Sequence, residues 1–220
     1  MIITIDGPSS SGKSTVAKLV SKFFSIVHID SGSIYRAITL LAMDNNLIHE
    51  KKINIQYLLK CLEENKISFK KKEKNIFKIC INENFIEKRI RTSEISNNVS
   101  IVAAIKEVRD YVLKLQRKIA KNQSVVMDGR DIGSVVFPNA KYKFFLHASL
   151  KNRSERRWND LKKNEKEISL TNVKIDLSNR DILDTNREHS PLVVPKNSIV
   201  INSDNLSVDQ VADKIIGLIK

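Results

Sequence analysis

The sequence predicts an α/β fold: a five-stranded parallel sheet flanked by helices, with a smaller lobe inserted into it. Three observations predict it. An apolar run, Ile2-Ile3-Thr4-Ile5, ends in Asp6 and passes straight into Gly7-Pro8-Ser9-Ser10-Ser11-Gly12-Lys13-Ser14, followed by the helix-prone Thr15-Val16-Ala17-Lys18-Leu19-Val20. Further along, short apolar runs alternate with amphipathic stretches, the pattern of parallel strands joined by crossover helices. Residues 67–86 break that alternation with a period of two (Ile67, Phe69; Ile76, Phe77, Ile79, Ile81), which predicts a small antiparallel sheet.

Taken in order, the first run is a buried strand and the helix after the glycine loop runs to about Phe24. Residues 26–29 form a second strand, ending at Asp30-Ser31-Gly32. Ser33 then caps a helix whose apolar positions Ile34, Ala37, Ile38, Leu41 and Ala42 keep the 3.6-residue period. A helix over 55–64 leads into the alternating segment, whose turns fall at 72–75 and 82–84. About 66–92 is therefore read as part of the inserted lobe. Helices resume over 92–121 with a break near Ala104, and residues 124–127 form a strand ending in Asp128-Gly129-Arg130-Asp131. A strand over 142–147, a highly charged helix from 150 to about 164 and a helix over 173–186 follow. A fifth strand at 198–201 and an amphipathic helix over 208–219 close the chain. In parallel sheets ligands bind at the carboxyl ends of the strands, where Gly7 to Ser14, Asp30 to Arg36 and Asp128 to Asp131 all fall.

The first of these segments is a P-loop in spacing and context. Gly7 and Gly12 permit a tight backbone path that turns successive N–H groups onto phosphate oxygens. Lys13 reaches the β- and γ-phosphates, and the Ser14 hydroxyl is a ligand for Mg²⁺. A nucleoside triphosphate is the expected ligand. Glycine placement agrees: the chain has 6 Gly, and five of them, Gly7, Gly12, Gly32, Gly129 and Gly133, fall in these candidate loops.

Composition narrows the classes. A chain of 220 residues with 41% hydrophobic content can bury one main core with one inserted lobe. The net charge of +13 invites a nucleic-acid partner. Much of the lysine, however, lies in runs such as Lys70-Lys71-Lys72 and Lys162-Lys163 without interleaved aromatics, so solvated faces account for it and no nucleic acid is expected. Cys61 and Cys80 lack a C-x-x-C partner, which predicts a reduced, cytoplasmic chain without a zinc-thiolate site. No stretch approaches 18 apolar residues and the amino end begins a strand at once, so neither a membrane span nor a leader is expected.

Arginine is scarcer, at 11 residues against 27 lysines, and its placement is informative. Arg36 and Arg130 follow candidate loops. Arg180, Asp184 and Arg187 have i, i+4, i+7 spacing on one helix face, readable either as an anion clamp or as a salt-bridge ladder. Arg153, Arg156 and Arg157 share another face, readable as a lid over the triphosphate or as a solvated basic surface.

Five motifs together resemble one family. They are Ile-Asp-Gly-Pro-Ser-x-x-Gly-Lys-Ser-Thr (5–15), Asp-Ser-Gly-x-Ile-Tyr-Arg (30–36), Ile-Arg-Thr-x-Glu-Ile (90–95), Asp-Gly-Arg-Asp-Ile-Gly-x-Val-Val-Phe-Pro (128–138) and Arg-Asp-x-x-Asp-x-x-Arg (180–187). Only the first is widely shared, and the set is similar to the bacterial cytidylate kinase family over nearly the whole chain. The resemblance implies transfer of the γ-phosphoryl group of ATP to CMP or dCMP with Mg²⁺. It implies that Gly7, Pro8, Ser9, Ser10, Ser11, Gly12, Lys13, Ser14 and Thr15 hold ATP, with Ser14 on the metal. Arg36, Arg130 and Arg187 look like the clamp on the CMP phosphate; Ser100, Arg109 and Asp131 look like contacts to cytosine. Arg180 and Asp184 look like contacts to the sugar, with Ser31 and Asp128 nearby. Lys13, Arg130, Arg187, Arg153 and Arg157 would carry catalysis. By the same likeness the core spans 1–62, 106–149 and 166–220, the monophosphate-binding insert about 63–105 and the lid about 150–165, in a monomer. Ser10-Ser11 occupies loop positions where small residues, often with a Gly, are usual in that family, and Trp158 stands in the lid helix where smaller apolar residues are common. An adenylate or shikimate kinase would share residues 7–15 but not Asp128-Gly129-Arg130-Asp131 with a hairpin-rich insert, and a regulatory GTPase would carry Asn-Lys-x-Asp, which is absent.

Overall fold

A computed structural model describes residues 1–50, 52–73, 76–163 and 167–219. In it β1 (Ile2–Asp6) leads through the glycine loop into α1 (Lys13–Phe23), and β2 (Val27–Asp30) leads into α2 (Ser31–Asp44). A two-residue hairpin, β3 (Ile48–His49) and β4 (Lys52–Ile53), precedes α3 (Ile55–Glu64). The alternating segment forms β5 (Ile67–Glu73), β6 (Ile76–Ile81) and β7 (Asn84–Phe85), paired antiparallel in that order. A 3₁₀ turn, Arg89–Arg91, then α4 (Ser93–Val102) and α5 (Lys106–Ala120) return the chain to β8 (Val125–Gly129). A π-helical turn at Ile132–Val136, β9 (Tyr142–His147), α6 (Leu150–Leu161), α7 (Leu170–Asn186), β10 (Ile199–Asn202) and α8 (Val208–Ile219) complete it.

The five strands β10-β9-β1-β8-β2 make one sheet, parallel throughout. Its inner strands are apolar runs because both faces are covered. On one face Ile3, Ile5, Phe144 and Leu146 pack with Val16 and Val20 of α1 and Val211 and Ile215 of α8. A second apolar cluster centres on Ile34, Ile38 and Leu41 of α2. It runs through Leu58 of α3, Ile67 and Ile79 of the small sheet and Val99 of α4 to Val108 and Val112 of α5, crossing both expected ends of the insert without a gap.

Local details correct the sequence expectations. The cap of α2 is Asp30, whose side chain accepts from the Ser33 N–H at 3.1 Å, while the Ser33 hydroxyl donates back to the Asp30 carbonyl at 2.6 Å. The helix expected over 173–186 starts earlier, at Leu170, capped by Ser169, and stops before Arg187, which has extended dihedrals. Arg180 and Asp184 share the helix, therefore, and Arg187 does not. The break near Ala104 separates α4 from α5 as expected. The end of the turn expected at 72–75, the tail of the lid at 164–165, residue 166 at the start of the last core segment and Lys220 at its end lie outside the described residues.

The loop after β1 passes hard against β9. Gly7 has φ +147°, and a Cβ built there would stand 2.1 Å from the Leu146 carbonyl oxygen. An L side chain both disfavours that dihedral and meets backbone that cannot turn aside. Gly7→Ala is expected to lower unfolding free energy by about 2–3 kcal/mol in urea denaturation; an unchanged midpoint would contradict the close approach.

Candidate active site

The loop between β1 and α1 is wound by two left-handed turns of backbone, at Ser10 (φ 58°) and at Gly12 (φ 93°), the residue preceding α1. Ser10 takes a conformation costing a non-glycine residue roughly 1 kcal/mol, a cost that a glycine there would avoid. The Lys13 ammonium, on a residue only 6% exposed, folds back to donate to the Pro8 carbonyl at 2.6 Å and lies 3.4 Å from Ser11 Oγ. Burial, and then the charge of Arg130, push Lys13 down to about 7. Below the loop, Asp6 accepts from the backbone N–H groups of Ile132 at 2.8 Å and Gly133 at 2.7 Å, tying the end of β1 to the π-helical turn. Burial pushes the Asp6 carboxyl up to about 7 against those two bonds.

Beside the loop, the Ser14 hydroxyl donates to Asp128 Oδ2 at 2.6 Å, and Asp128 Oδ1 stands 2.7 Å from His28 Nε2. A hydroxyl and a carboxylate at the foot of a phosphate cradle are hard oxygen donors. Mg²⁺ is held in this way, by one or two protein oxygens together with substrate phosphates, so the residues present fit that ion.

A cleft of about 640 Å³ runs along the loop and is lined by Ser9 to Val16, Asp128, Arg156 and Arg157 among others. Opening from it is a second pocket that shares Gly32, Arg36, Gly129, Arg130 and Arg180 with the cleft. Its remaining walls include Ser31, Tyr35, Ser100, Asp131, Asp184 and Arg187. At about 70 Å³ this pocket is much smaller than the cleft with which it shares those five residues. Four separate segments supply it: α2, the end of α4, the end of β8 with the two residues after it, and α7 with the residue after it.

Arg130 joins the two cavities. Its Nε donates to Asp184 at 2.8 Å and its Nη2 to the Ser9 hydroxyl of the phosphate loop at 2.9 Å. Arg187 lies 3.5 Å from Asp184 and 3.9 Å from Asp131, and Arg109 is bonded to Asp131 and to the Ala103 carbonyl. Arg36 is turned toward the lobe, donating to the Ile90 carbonyl and to Ser96 Oγ, both at 3.0 Å. Ser31 Oγ accepts from Gln116 at 2.8 Å. Four arginines thus line the pocket against two aspartates. Burial, and then Arg180, push Arg36 down to about 9; burial, and then Arg130, push Arg180 down to about 10. Arg180 Nε and Arg187 Nη2 are buried without a hydrogen-bond partner among the described residues. Crowded cations with spare donors define a site for an anion.

Of the residues singled out in the sequence, Arg36, Arg130, Arg180, Arg187, Asp131, Asp184, Ser31 and Ser100 line this one pocket. Arg109 stands behind Asp131, and Asp128 faces the phosphate cleft. The basic face of α6 divides. Arg156 and Arg157 line the cleft, whereas Arg153 is buried behind the loop, donating to the carbonyls of Ala148 at 2.9 Å and Ser9 at 3.3 Å and paired with Asp181. Its reach under the loop follows from α6 crossing α7, which spacing along one helix does not reveal. Sequence reasoning missed Asp181, which also accepts from the Ser9 N–H at 3.3 Å, together with Gln116 and His28. Asp181 belongs to the Arg-Asp-x-x-Asp-x-x-Arg segment. His28 is a polar residue in an apolar run, and Gln116, beside Arg117 and Lys118, stands out in no way along the chain.

A central parallel strand feeding this loop, with a guanidinium-lined pocket facing it, defines a P-loop nucleotide-binding protein. A sequence model of the cytidylate kinase family matches residues 3–220, and the chain belongs to that family. A cytidylate kinase of Clostridium botulinum (strain Loch Maree / Type A3) is 41% identical over 218 residues, covering 99% of this chain and 97% of that protein. One from Clostridium tetani is 39% identical over 220 residues, covering 100% and 94%, and one from Flavobacterium psychrophilum 42% over 209 residues, covering 94% and 92%. Among solved structures, an uncharacterized protein from Eubacterium ventriosum superposes with a TM-score of 0.54 at 14% identity, covering 100% of this chain and 97% of that one, a likeness of fold.

The depressed Lys13 ammonium has a measurable sign. At pH 8 a group titrating at about 7 is mostly neutral, and phosphate oxygens brought against it favour the charged form. Binding of ATP without acceptor at pH 8 is expected to be accompanied by net proton uptake, read by calorimetry in buffers of different ionisation enthalpy. Lys13→Met should abolish the uptake.

Proposed function

We propose that this chain transfers the γ-phosphoryl group of ATP to CMP and dCMP, giving ADP and CDP or dCDP. The observation that carries the reading is Asp131, paired from behind by Arg109, in the one pocket that Arg36, Arg130 and Arg187 also line and that opens onto the phosphate loop. Cytosine presents an amino donor at position 4 with acceptors at positions 2 and 3, so one carboxylate and one guanidinium read both kinds of group. Uracil offers the carboxylate a carbonyl in place of the amino group. That leaves a buried acceptor facing another acceptor, a strong ground for rejection.

The triphosphate lies along the loop, its oxygens taking N–H groups of the residues after Gly7 and the ammonium of Lys13, which leaves the Pro8 carbonyl for them. Ser14, with Asp128 beside it, would hold Mg²⁺, which would supply neutralisation of phosphate charge when bound. Arg36, Arg130 and Arg187 hold the acceptor phosphate, and Arg180 and Asp184 the sugar. An oxygen of that phosphate, already anionic, bonds to the γ-phosphorus while the bond to the β–γ bridging oxygen breaks and its electron pair leaves with ADP. No base is needed, and positioning with charge neutralisation supplies the rate. Arg157 and Arg156 close over the transferring group from α6. Arg153 acts through the loop it supports. The insert at about 63–105 holds the acceptor, and the segment from about 150 is the lid. A single chain completes the site, which favours a monomer, and free Cys61 and Cys80 favour the cytoplasm.

A coupled assay of ADP release across AMP, CMP, dCMP, UMP and GMP tests the reading. CMP and dCMP should lead by about tenfold or more, and a lead for a purine would overturn it. Asp131→Asn is the sharpest variant, because Asp131 touches no loop residue and asparagine still accepts from Arg109, whereas Arg130 also holds Ser9. Asp131→Asn is expected to lower kcat/KM for CMP by about 10²-fold and to shrink the CMP-over-UMP ratio, with ATP affinity within about twofold.

A further inference from the structure

We propose that His28 is a positioning residue for the metal side of this site. It holds the Asp128 carboxylate in the orientation that meets Ser14. The inference rests on the reading of Ser14 and Asp128 as the Mg²⁺ side.

Asp128 is 2% exposed and its two oxygens are divided between two donors, Ser14 Oγ at 2.6 Å and His28 Nε2 at 2.7 Å. An ionised carboxylate only accepts, so the proton of the imidazole lies on Nε2. Two anchors fix the rotation of the carboxyl plane; one anchor leaves it free. The strand pairing explains how the ring reaches. β2 and β8 run parallel with His28 opposite Val126 and Asp30 opposite Asp128. Residues two apart on a strand share a face. His28 thus stands on the same side as Asp30, one step back, and its ring crosses to the carboxylate at the end of the neighbouring strand.

Those two strand ends bring Asp30 and Asp128 side by side, and each has its own donors. Asp30 takes Arg91 at 2.7 Å and the Ser33 N–H at 3.1 Å, and Asp128 takes Ser14 and His28. The charge of Asp128 is also felt by Lys13 and Arg130. Without His28, its carboxylate would be free to turn toward those cations, away from Ser14 and into competition with the phosphates they serve. His28 itself lines neither substrate cavity; it borders a small hollow between β2 and the hairpin of the inserted lobe. Its effect must therefore pass through Asp128. A mere cross-link between β2 and β8 would alter stability alone, and the experiment separates the two.

ADP binding to the full chain is measured by calorimetry in Mg²⁺ and in EDTA, for wild type, His28→Leu and His28→Gln. Loss of a residue that orients a metal ligand costs about tenfold or more in metal affinity. The gain that Mg²⁺ brings to ADP binding should therefore fall by about tenfold in H28L, with affinity in EDTA within about twofold. H28Q, whose amide N–H reaches about as far, should restore most of it. Should H28L fail to fold, His28→Asn, too short to reach, replaces it. An unchanged Mg²⁺ gain, or an equal loss in Mg²⁺ and EDTA, would overturn the proposal. A wild type without Mg²⁺ gain, or Asp128→Asn that keeps it, would remove the underlying metal reading and the proposal with it.

Discussion

Holding several guanidinium groups close together in a place with little water is the constraint on which this molecule turns. Like charges a few ångströms apart repel by several kcal/mol at the effective dielectric of a partly buried site, on the order of 4 kcal/mol at 4 Å. The fold contains the repulsion by sharing carboxylates: Asp184 serves Arg130 and Arg187, and Asp131 serves Arg109 and Arg187. The sharing is incomplete, since four arginines line the pocket against two aspartates. The residue of positive charge is what an incoming phosphate neutralises. Stability and binding are coupled through the same side chains, because deleting a carboxylate leaves a buried cation unpaired.

The architecture delivers these groups from segments far apart in the chain. The parallel sheet aligns the ends of β1, β2 and β8, so the phosphate loop, the start of α2 and the Asp128 to Asp131 segment meet at one edge. α7 then crosses over them, contributing Arg180, Asp181 and Asp184 along one stretch. Asp181 and Arg153 brace Ser9 by its N–H and its carbonyl, and Arg130 takes its hydroxyl. One serine of the loop therefore reports to both the arginine-lined pocket and the helices that overlie it. A shift of α6 or α7 is felt at the phosphate cradle through Ser9.

Much of this was legible in the residues, and the exceptions have physical causes. The buried strands were readable because a strand covered on both faces is an unbroken apolar run, and the loop because its glycines and lysine must stand at fixed spacing. β3 and β4 were not readable, since two residues show no period. The residues suggest Ser33 as the α2 cap, and Asp30 holds it; both are capping residues, and the choice depends on which of two reciprocal bonds closes the first turn. Helical spacing puts Arg187 on the α7 face, although the helix stops one residue short of it, and spacing cannot say that Arg153 turns under the loop while Arg156 and Arg157 face the cleft. That division is set by the crossing of α6 and α7, a tertiary fact. His28 was invisible for the same reason: its partner lies on another strand, 100 residues away.

The position of β1 has a consequence for biogenesis. It is the middle strand, yet it is made first, and its neighbours are β8 and β9, with Ile3 opposite both Val126 and Tyr142. Contacts so remote along the chain close slowly. On the ribosome the phosphate loop emerges with no sheet to hold it, while α2, α3 and the small antiparallel sheet can already collapse around their own apolar cluster. The inserted lobe is thus in a position to mature ahead of the phosphate loop and the sheet that holds it.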